Sequence, residues 1–277
     1  MSTRLVVNAD DYGRTAGVSR GIRHAHRHGI VTSTTAMLNM PRVTEDLRLA
    51  VQETPALGLG VHLVLTSGRP LLPPEQVPSL VNEQGVFHSL VAFVERRSSL
   101  KLAEVQAEWQ AQVEKFIAAT GRRPTHLDAH HHASYLAEGL FYTMLELAQA
   151  YGAAIRLPAS LESADSLAGL PSDMLEPAQE YSQRLLAEFQ PRRPGAFFAT
   201  FYDEGATQAE LLRILDRIEG LDLAAEIMSH PGYADPELLS GSAYARQRQN
   251  ELEILTDPAL RAAIEQRGIQ LVSFANL

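Results

Sequence analysis

The sequence predicts an α/β fold: a single domain holding a closed or nearly closed barrel of seven or eight mostly parallel strands. Three observations lead there. Short apolar runs alternate with amphipathic helical patterns along the whole chain, the signature of strands joined by helical crossovers. The apolar runs are continuous, as expected of strands covered on both faces. At 277 residues the chain has the length of one such barrel, and no linker or fixed-period repeat divides it. An open doubly wound sheet is the alternative.

Leu5-Val6-Val7 is the first strand. The helix behind it covers 17–28, with Val18, Ile22 and Ala25 on one face and Gly29 as its stop. Residues 32–40 read as a second strand, 43–52 as a helix, and 57–65 as a third strand with His62 near its end. From about 66 to 100, Pro70, Pro73, Pro74, Pro78 and Gly85 break any regular pattern, and a connection of that length suggests a functional loop or lid. Residues 102–119 form a strongly amphipathic helix carrying Val105, Trp109, Val113, Phe116 and Ile117, which Gly121 ends. Pro124 leads into a fourth strand over 125–129. Further helices are predicted at 139–151, 179–189, 208–218, 247–255 and 258–267. Further strands are predicted at 154–157, 197–201, 224–228 and 270–274, with an irregular stretch over 160–177.

A hydrophobic fraction of 45% and a charged fraction of 21% belong to an ordinary folded core. The net charge of −9 argues against nucleic acid or an anionic membrane surface as partner. Without cysteine there is no disulfide and no thiolate metal site, which fits a reducing compartment. Arg4 precedes only three apolar residues before Asn8, so no secretory leader is expected. No apolar run approaches a membrane span, and a cytoplasmic location is expected. Nucleotide chemistry has no support, since neither G-x-G-x-x-G after the first strand nor a Walker-type loop occurs.

The chemistry-bearing residues collect at the carboxyl ends of the predicted strands, where ligands gather in parallel sheets. Asp10 and Asp11 follow the first strand, and two adjacent acids repel unless a cation or shared proton relieves them. Six of the ten histidines sit at three other strand ends: His62, then His126, His130, His131 and His132, then His230. Imidazole and carboxylate together suit a divalent ion such as Zn²⁺, and three protein ligands with open positions make a catalytic site. Strand alternation puts His126, Asp128 and His130 on one face, with Leu127 and Ala129 on the other. His130 is then the best-placed ligand, and Asp128 is placed to fix the tautomer of a ligand histidine. His126 lies deeper, either a ligand or a satisfied interior histidine. His24 and His28 have the i, i+4 spacing of a metal pair but lie on a basic helix face far from any strand end, and are taken as solvated surface.

Several segments together resemble the YdjC-like carbohydrate deacetylases, the family of chitooligosaccharide deacetylase. They are Val7-Asn8-Ala9-Asp10-Asp11-Tyr12-Gly13, Thr32-Ser33-Thr34-Thr35, Gly60-Val61-His62-Leu63-Val64-Leu65-Thr66, Gly68-Arg69-Pro70, Pro124-Thr125-His126-Leu127-Asp128-Ala129-His130-His131-His132 and His230-Pro231-Gly232-Tyr233. They run in the family's order over almost the entire chain. The resemblance implies a distorted TIM-like (β/α) barrel, a homodimer, and hydrolysis of the N-acetyl group of an acetylated amino sugar or oligosaccharide. It implies that Asp11, His62 and His130 bind one divalent metal ion, Mg²⁺ or Zn²⁺, and that Asp10 is the catalytic base. His230 is then assigned as the acid, with His132 as its rival. Arg156, ending the fifth strand, either holds Asp10 ionised or is an exposed arginine at the barrel rim, and Tyr12, Arg69 and Tyr233 are candidates to meet sugar hydroxyls. Where the family often reads His-His-His-Val-His, Ala133 and Ser134 follow His132, which bears on substrate identity rather than on chemistry. Two rival readings remain: a metal-dependent hydrolase of another bond, such as a phosphoester or cyclic amide, and a non-catalytic carbohydrate-binding protein on the same fold.

Overall fold

The structure is a computed structural model, and it describes residues 3–156 and 175–277, with side chains in the second span from 178. The expected end of the fifth strand at Leu157 and most of the irregular stretch expected over 160–177 lie outside those residues; its last three residues, 175–177, instead open a helix. The strands are β1 (Arg4–Tyr12), β2 (Ser33–Ala36), β3 (Gly58–Leu63), β4 (His126–Ala129), β5 (Ala154–Ile155), β6 (Ala196–Phe198), β7 (Ala224–Ser229) and β8 (Gln270–Leu271). The helices are α1 (Ala16–His28), α2 (Val43–Glu53), α3 (Leu90–Arg96), α4 (Leu102–Thr120), α5 (Glu138–Tyr151), α6 (Leu175–Phe189), α7 (Gln208–Ile218), α8 (Pro236–Gly241), α9 (Arg246–Leu255) and α10 (Pro258–Gln266).

All described strand pairings are parallel, and the order β5-β4-β3-β2-β1-β7-β6 keeps chain neighbours together around a curled sheet. A doubly wound sheet would instead reverse direction at a switch point. The curl is a barrel cut between β5 and β6, where Ile155 N–H donates to Arg192 O at 2.9 Å. β8 lies off the path, pairing with the first residues of β1 on the edge that β2 takes over from Asn8. Leu5, Val7, Val61, Leu127, Ile155 and Ile227 are fully buried beneath the helices, which is why these strands read as unbroken apolar runs.

Two helices escaped the pattern reading because they are short. α3, capped by Ser89 accepting from Ala92 N–H, falls within the proline-rich connection, and α8 starts at an Asp235-Pro236 cap. α4 ends as its glycine predicts: Gly121 takes the left-handed conformation at φ 70°. Its inner face also carries Glu104, Glu108 and Gln112, and these polar side chains have partners. Glu108 accepts from Leu71 N–H at 3.0 Å and Leu72 N–H at 3.0 Å, and Glu104 from Ser79 N–H at 2.7 Å. Gln112 bonds both the N–H and the carbonyl of Val64 at 2.9 Å, fixing the chain two residues beyond His62. The long connection is thereby fastened to α4. No described helix is long and apolar enough to cross a membrane.

Candidate active site

Adjacent residues of a regular strand point to opposite faces, so Asp10 and Asp11 could not both face the interior of an unbroken β1. The pairing of β1 with β2 slips between Ala9 and Tyr12, and Asp11 sits at φ 69°. This bulge turns both carboxylates inward, each only 2% exposed. Positive φ recurs at His131 (55°) and His132 (54°), just past β4, so three of the five non-glycine residues with positive φ among the described residues lie at this end of the sheet.

Asp11 Oδ1 lies 3.1 Å from His130 Nδ1 and 3.4 Å from His62 Nε2, and those two nitrogens are 3.2 Å apart. An ion about 2.1 Å from each of three donors would set them about 3.0 Å apart at right angles and about 3.4 Å apart tetrahedrally. Asp11 Oδ1 is buried without a hydrogen-bond partner, the orphan acceptor such an ion would satisfy. His62 Nδ1 meets Asp128 Oδ1 at 2.6 Å, which assigns the ring hydrogen there and turns the lone pair of Nε2 towards the other two donors. The residues therefore fit a divalent cation. Burial disfavours a charged His62, but Asp128, Asp10 and Asp11 outweigh it and push its pKa up to about 9, so proton and cation compete for Nε2.

Asp10 is held apart from this trio. Arg156, fully buried, meets Asp10 Oδ2 at 2.7 Å and Oδ1 at 2.6 Å, and Asn8 Nδ2 donates to Oδ1 at 2.8 Å. Burial raises the pKa of Asp10, yet Arg156 outweighs it and holds the carboxyl well below the usual range. Arg156 also pairs with Asp128 at 3.0 Å and Glu226 at 2.8 Å. Asp10, His62 and Asp128 form a second group spaced for a cation, but the Arg156 guanidinium already bridges its two carboxylates.

His126 is a satisfied interior histidine, stacked on Phe274 at 3.9 Å, with Nε2 bonded to Asn8 Oδ1 at 3.0 Å. Burial drives its pKa down to about 3, so the neutral ring donates to Asn8, whose amide in turn donates to Asp10. Gly60 makes room for it, since a Cβ there would lie 2.6 Å from the ring. His230 Nε2 stands 4.0 Å from Asp10 Oδ2, and burial takes its pKa down to about 3. His132 packs edge-on to Phe197 at 5.9 Å, its pKa lowered by burial and Arg156 to about 4.

Three expected residues have their contacts elsewhere. Tyr12 turns into the core, donating to Asp46 O at 2.6 Å and accepting from Arg23 at 2.7 Å, because the bulge ahead of it restores alternation with the ring on the inner side of α1 and α2. That removes it as a sugar contact. Arg69 is exposed and donates to Gly85 O at 3.3 Å, within the long connection. Tyr233 packs beneath Arg20 at 4.7 Å, beside His24. His24 and His28 stay on the helix surface, 4.6 Å apart.

The sequence reading missed Arg248, Glu251 and Glu226. Arg248, on α9, is 3% exposed and donates through Nη2 to Asp11 Oδ2, leaving Oδ1 to face the two histidines. Glu251, one turn further, is fully buried and accepts from His230 N–H and the Tyr244 hydroxyl. Glu226 is an acid inside the apolar run of β7, a signal that was available. Burial raises its pKa to about 8 against the pull of Arg156.

With that geometry established, comparison with known proteins is informative. The family model described as YdjC-like protein matches residues 4–266. The chain belongs to the YdjC-like family. A relative from Geobacillus stearothermophilus named carbohydrate deacetylase is 38% identical over 274 residues, covering 99% of this chain and 98% of that protein. Another YdjC-like relative, named chitooligosaccharide deacetylase, from Salmonella paratyphi B, is 36% identical and covers 100% of both chains. Among solved structures, a candidate cellobiose-phosphate cleavage protein from Enterococcus faecalis V583 superposes with a TM-score of 0.85 at 36% identity, covering 100% of this chain and 99% of that one.

Proposed function

We propose that this YdjC-like chain is a metal-dependent carbohydrate deacetylase, hydrolysing the N-acetyl group of an acetylated amino sugar or chitooligosaccharide to acetate and a free amine. The observation that carries the reading is the triangle of Asp11 Oδ1, His62 Nε2 and His130 Nδ1, with the Arg156-held Asp10 beside it. The names of the relatives from Geobacillus and Salmonella support the bond and the substrate class. Asp11, His62 and His130 are the residues that would hold one divalent ion, Mg²⁺ or Zn²⁺. Such an ion supplies Lewis acidity to water and to the amide carbonyl. Asp128 keeps His62 in the liganding tautomer, and Arg248 keeps Asp11 offering a single oxygen. Asp10 accepts a proton from the attacking water, and His230, 4.0 Å away, passes that proton on to the departing nitrogen.

A second assignment of the proton transfers rests on one observation: Arg156 engages both oxygens of Asp10, while His230 is neutral and so ready to accept a proton. In that assignment His230 takes the proton from water and passes it to the amine, and Asp10 stabilises the imidazolium. A phenolic acetate ester separates the two, because its leaving group needs no proton. If His230 acts only as acid, His230→Ala retains ester hydrolysis while losing amide hydrolysis; if it shuttles, both fall together.

The Arg156 bridge between Asp10 and Asp128 weighs against two-metal phosphoester chemistry, and a base poised beside a cation site weighs against a purely binding role. The proposal includes a cytoplasmic homodimer, which cell fractionation and light scattering test. Acetate release from N-acetylglucosamine, chitobiose and longer oligomers, measured with and without chelator, tests the activity. Turnover that survives complete metal removal would sink it.

A further inference from the structure

We infer that Tyr202 is a stacking platform for the sugar ring that carries the scissile acetamide; this rests on the deacetylase reading and names how its substrate is gripped. Tyr202 is 44% exposed, and Tyr142, the other large aromatic left open among the described residues, packs against Phe189 on the outer helices. One face of Tyr202 stacks on Tyr244 at 4.5 Å and 11°, and both rings stand edge-on to His230, at 5.4 Å and 5.8 Å. The stack accounts for one face of Tyr202 and leaves the other open.

The ring is also braced. Asp203, next in the chain, sits at φ 51° and donates its N–H to the Tyr244 hydroxyl at 2.8 Å. That hydroxyl donates to Glu251, and Glu251 accepts from the backbone N–H of His230. A left-handed residue and a buried carboxylate thus tie the position of Tyr202 to that of His230. Since His230 must reach the amine nitrogen, the ring bonded to that nitrogen lies within reach of Tyr202. A pyranose offers a flat C–H face, and an aromatic ring with one side already covered and little entropy to lose is a suitable partner for it.

The test measures saccharide binding and steady-state kinetics on metal-loaded protein. Tyr202→Leu keeps cover over Tyr244 without a flat face, and Tyr202→Trp keeps the face. Tyr202→Leu is expected to weaken binding of the deacetylated disaccharide, and to raise KM for chitobiose, by roughly 3- to 10-fold. Metal content, kcat and inhibition by free acetate should hold, and Tyr202→Trp should bind like the parent. Unchanged saccharide binding in Tyr202→Leu overturns the platform while leaving deacetylation standing, as does a loss shared by acetate and metal. A parent that binds the saccharide in a Tyr202-dependent way yet releases no acetate overturns the deacetylase reading alone. If the parent neither binds saccharide nor releases acetate, both fall.

Discussion

The wall formed by β1, β3 and β4 carries its chemistry on strand ends, whereas the wall formed by residues 202–203, the end of β7 and α9 carries it on a loop and a helix. In the first, five candidate residues, Asp10, Asp11, His62, Asp128 and His130, come from short contiguous motifs, and the sheet register helps bring them together: His62 pairs with Asp128 across adjacent strands. In the second, Tyr202, His230 and the segment entering α9 that carries Tyr244, Arg248 and Glu251 come from three separate stretches of chain and meet through tertiary packing. On the proposed reading the first wall holds the cation and Asp10, and the second supplies His230 and Tyr202. The second also reaches across to the first through Arg248 on Asp11, and Glu251 fixes His230 within it.

The largest effects should therefore come from the first wall. His130→Ala is expected to lose both metal and turnover, while Asp10→Asn keeps its metal and loses about 10²–10⁴-fold in kcat. Elemental analysis beside kinetics separates the two, and normal turnover in Asp10→Asn would remove its assignment as base. From the second wall, Arg248→Gln is expected to weaken metal affinity by about 10–100-fold without abolishing it. Calorimetric titration with Zn²⁺ measures this, and parental affinity would show that Asp11 needs no such restraint. Gly60→Ala drives a methyl into the His126 ring and should cost about 1–3 kcal/mol of stability, read from denaturant midpoints. The smallest effect concerns Glu251, whose pKa burial raises from 4.5 to about 7. The native state then keeps a proton that the unfolded chain gives up, so this group lowers stability as pH rises across that interval. Glu251→Gln lacks the titration, and its deficit in Tm against the parent should shrink between pH 4.5 and 7.

The same contrast explains what could be read from the sequence. The barrel was legible because doubly covered strands leave continuous apolar runs, His62 because it stands near the end of such a run, and Asp128 and His130 because strand alternation puts them on one face. Alternation fails where the backbone breaks its own rule. Asp10 and Asp11 share a face only through the bulge, and the same bulge sends Tyr12 into the core against Arg23 and Asp46. Arg248 and Glu251 sit in a helix rich in polar residues, Arg246 to Leu255, whose pattern reads as solvated; nothing local marks the two that turn inward. Only their long-range partners reveal them.

Glu108 has a kinetic corollary. Swinging the 66–89 connection outward would strip a buried carboxylate of its amide donors, and each such charge-assisted bond is worth about 1.5–3 kcal/mol. Where the chain passes Leu71 and Leu72 the connection is accordingly fastened to α4, and if no other part of it moves during the reaction, turnover should show no dependence on solvent viscosity beyond that of substrate diffusion.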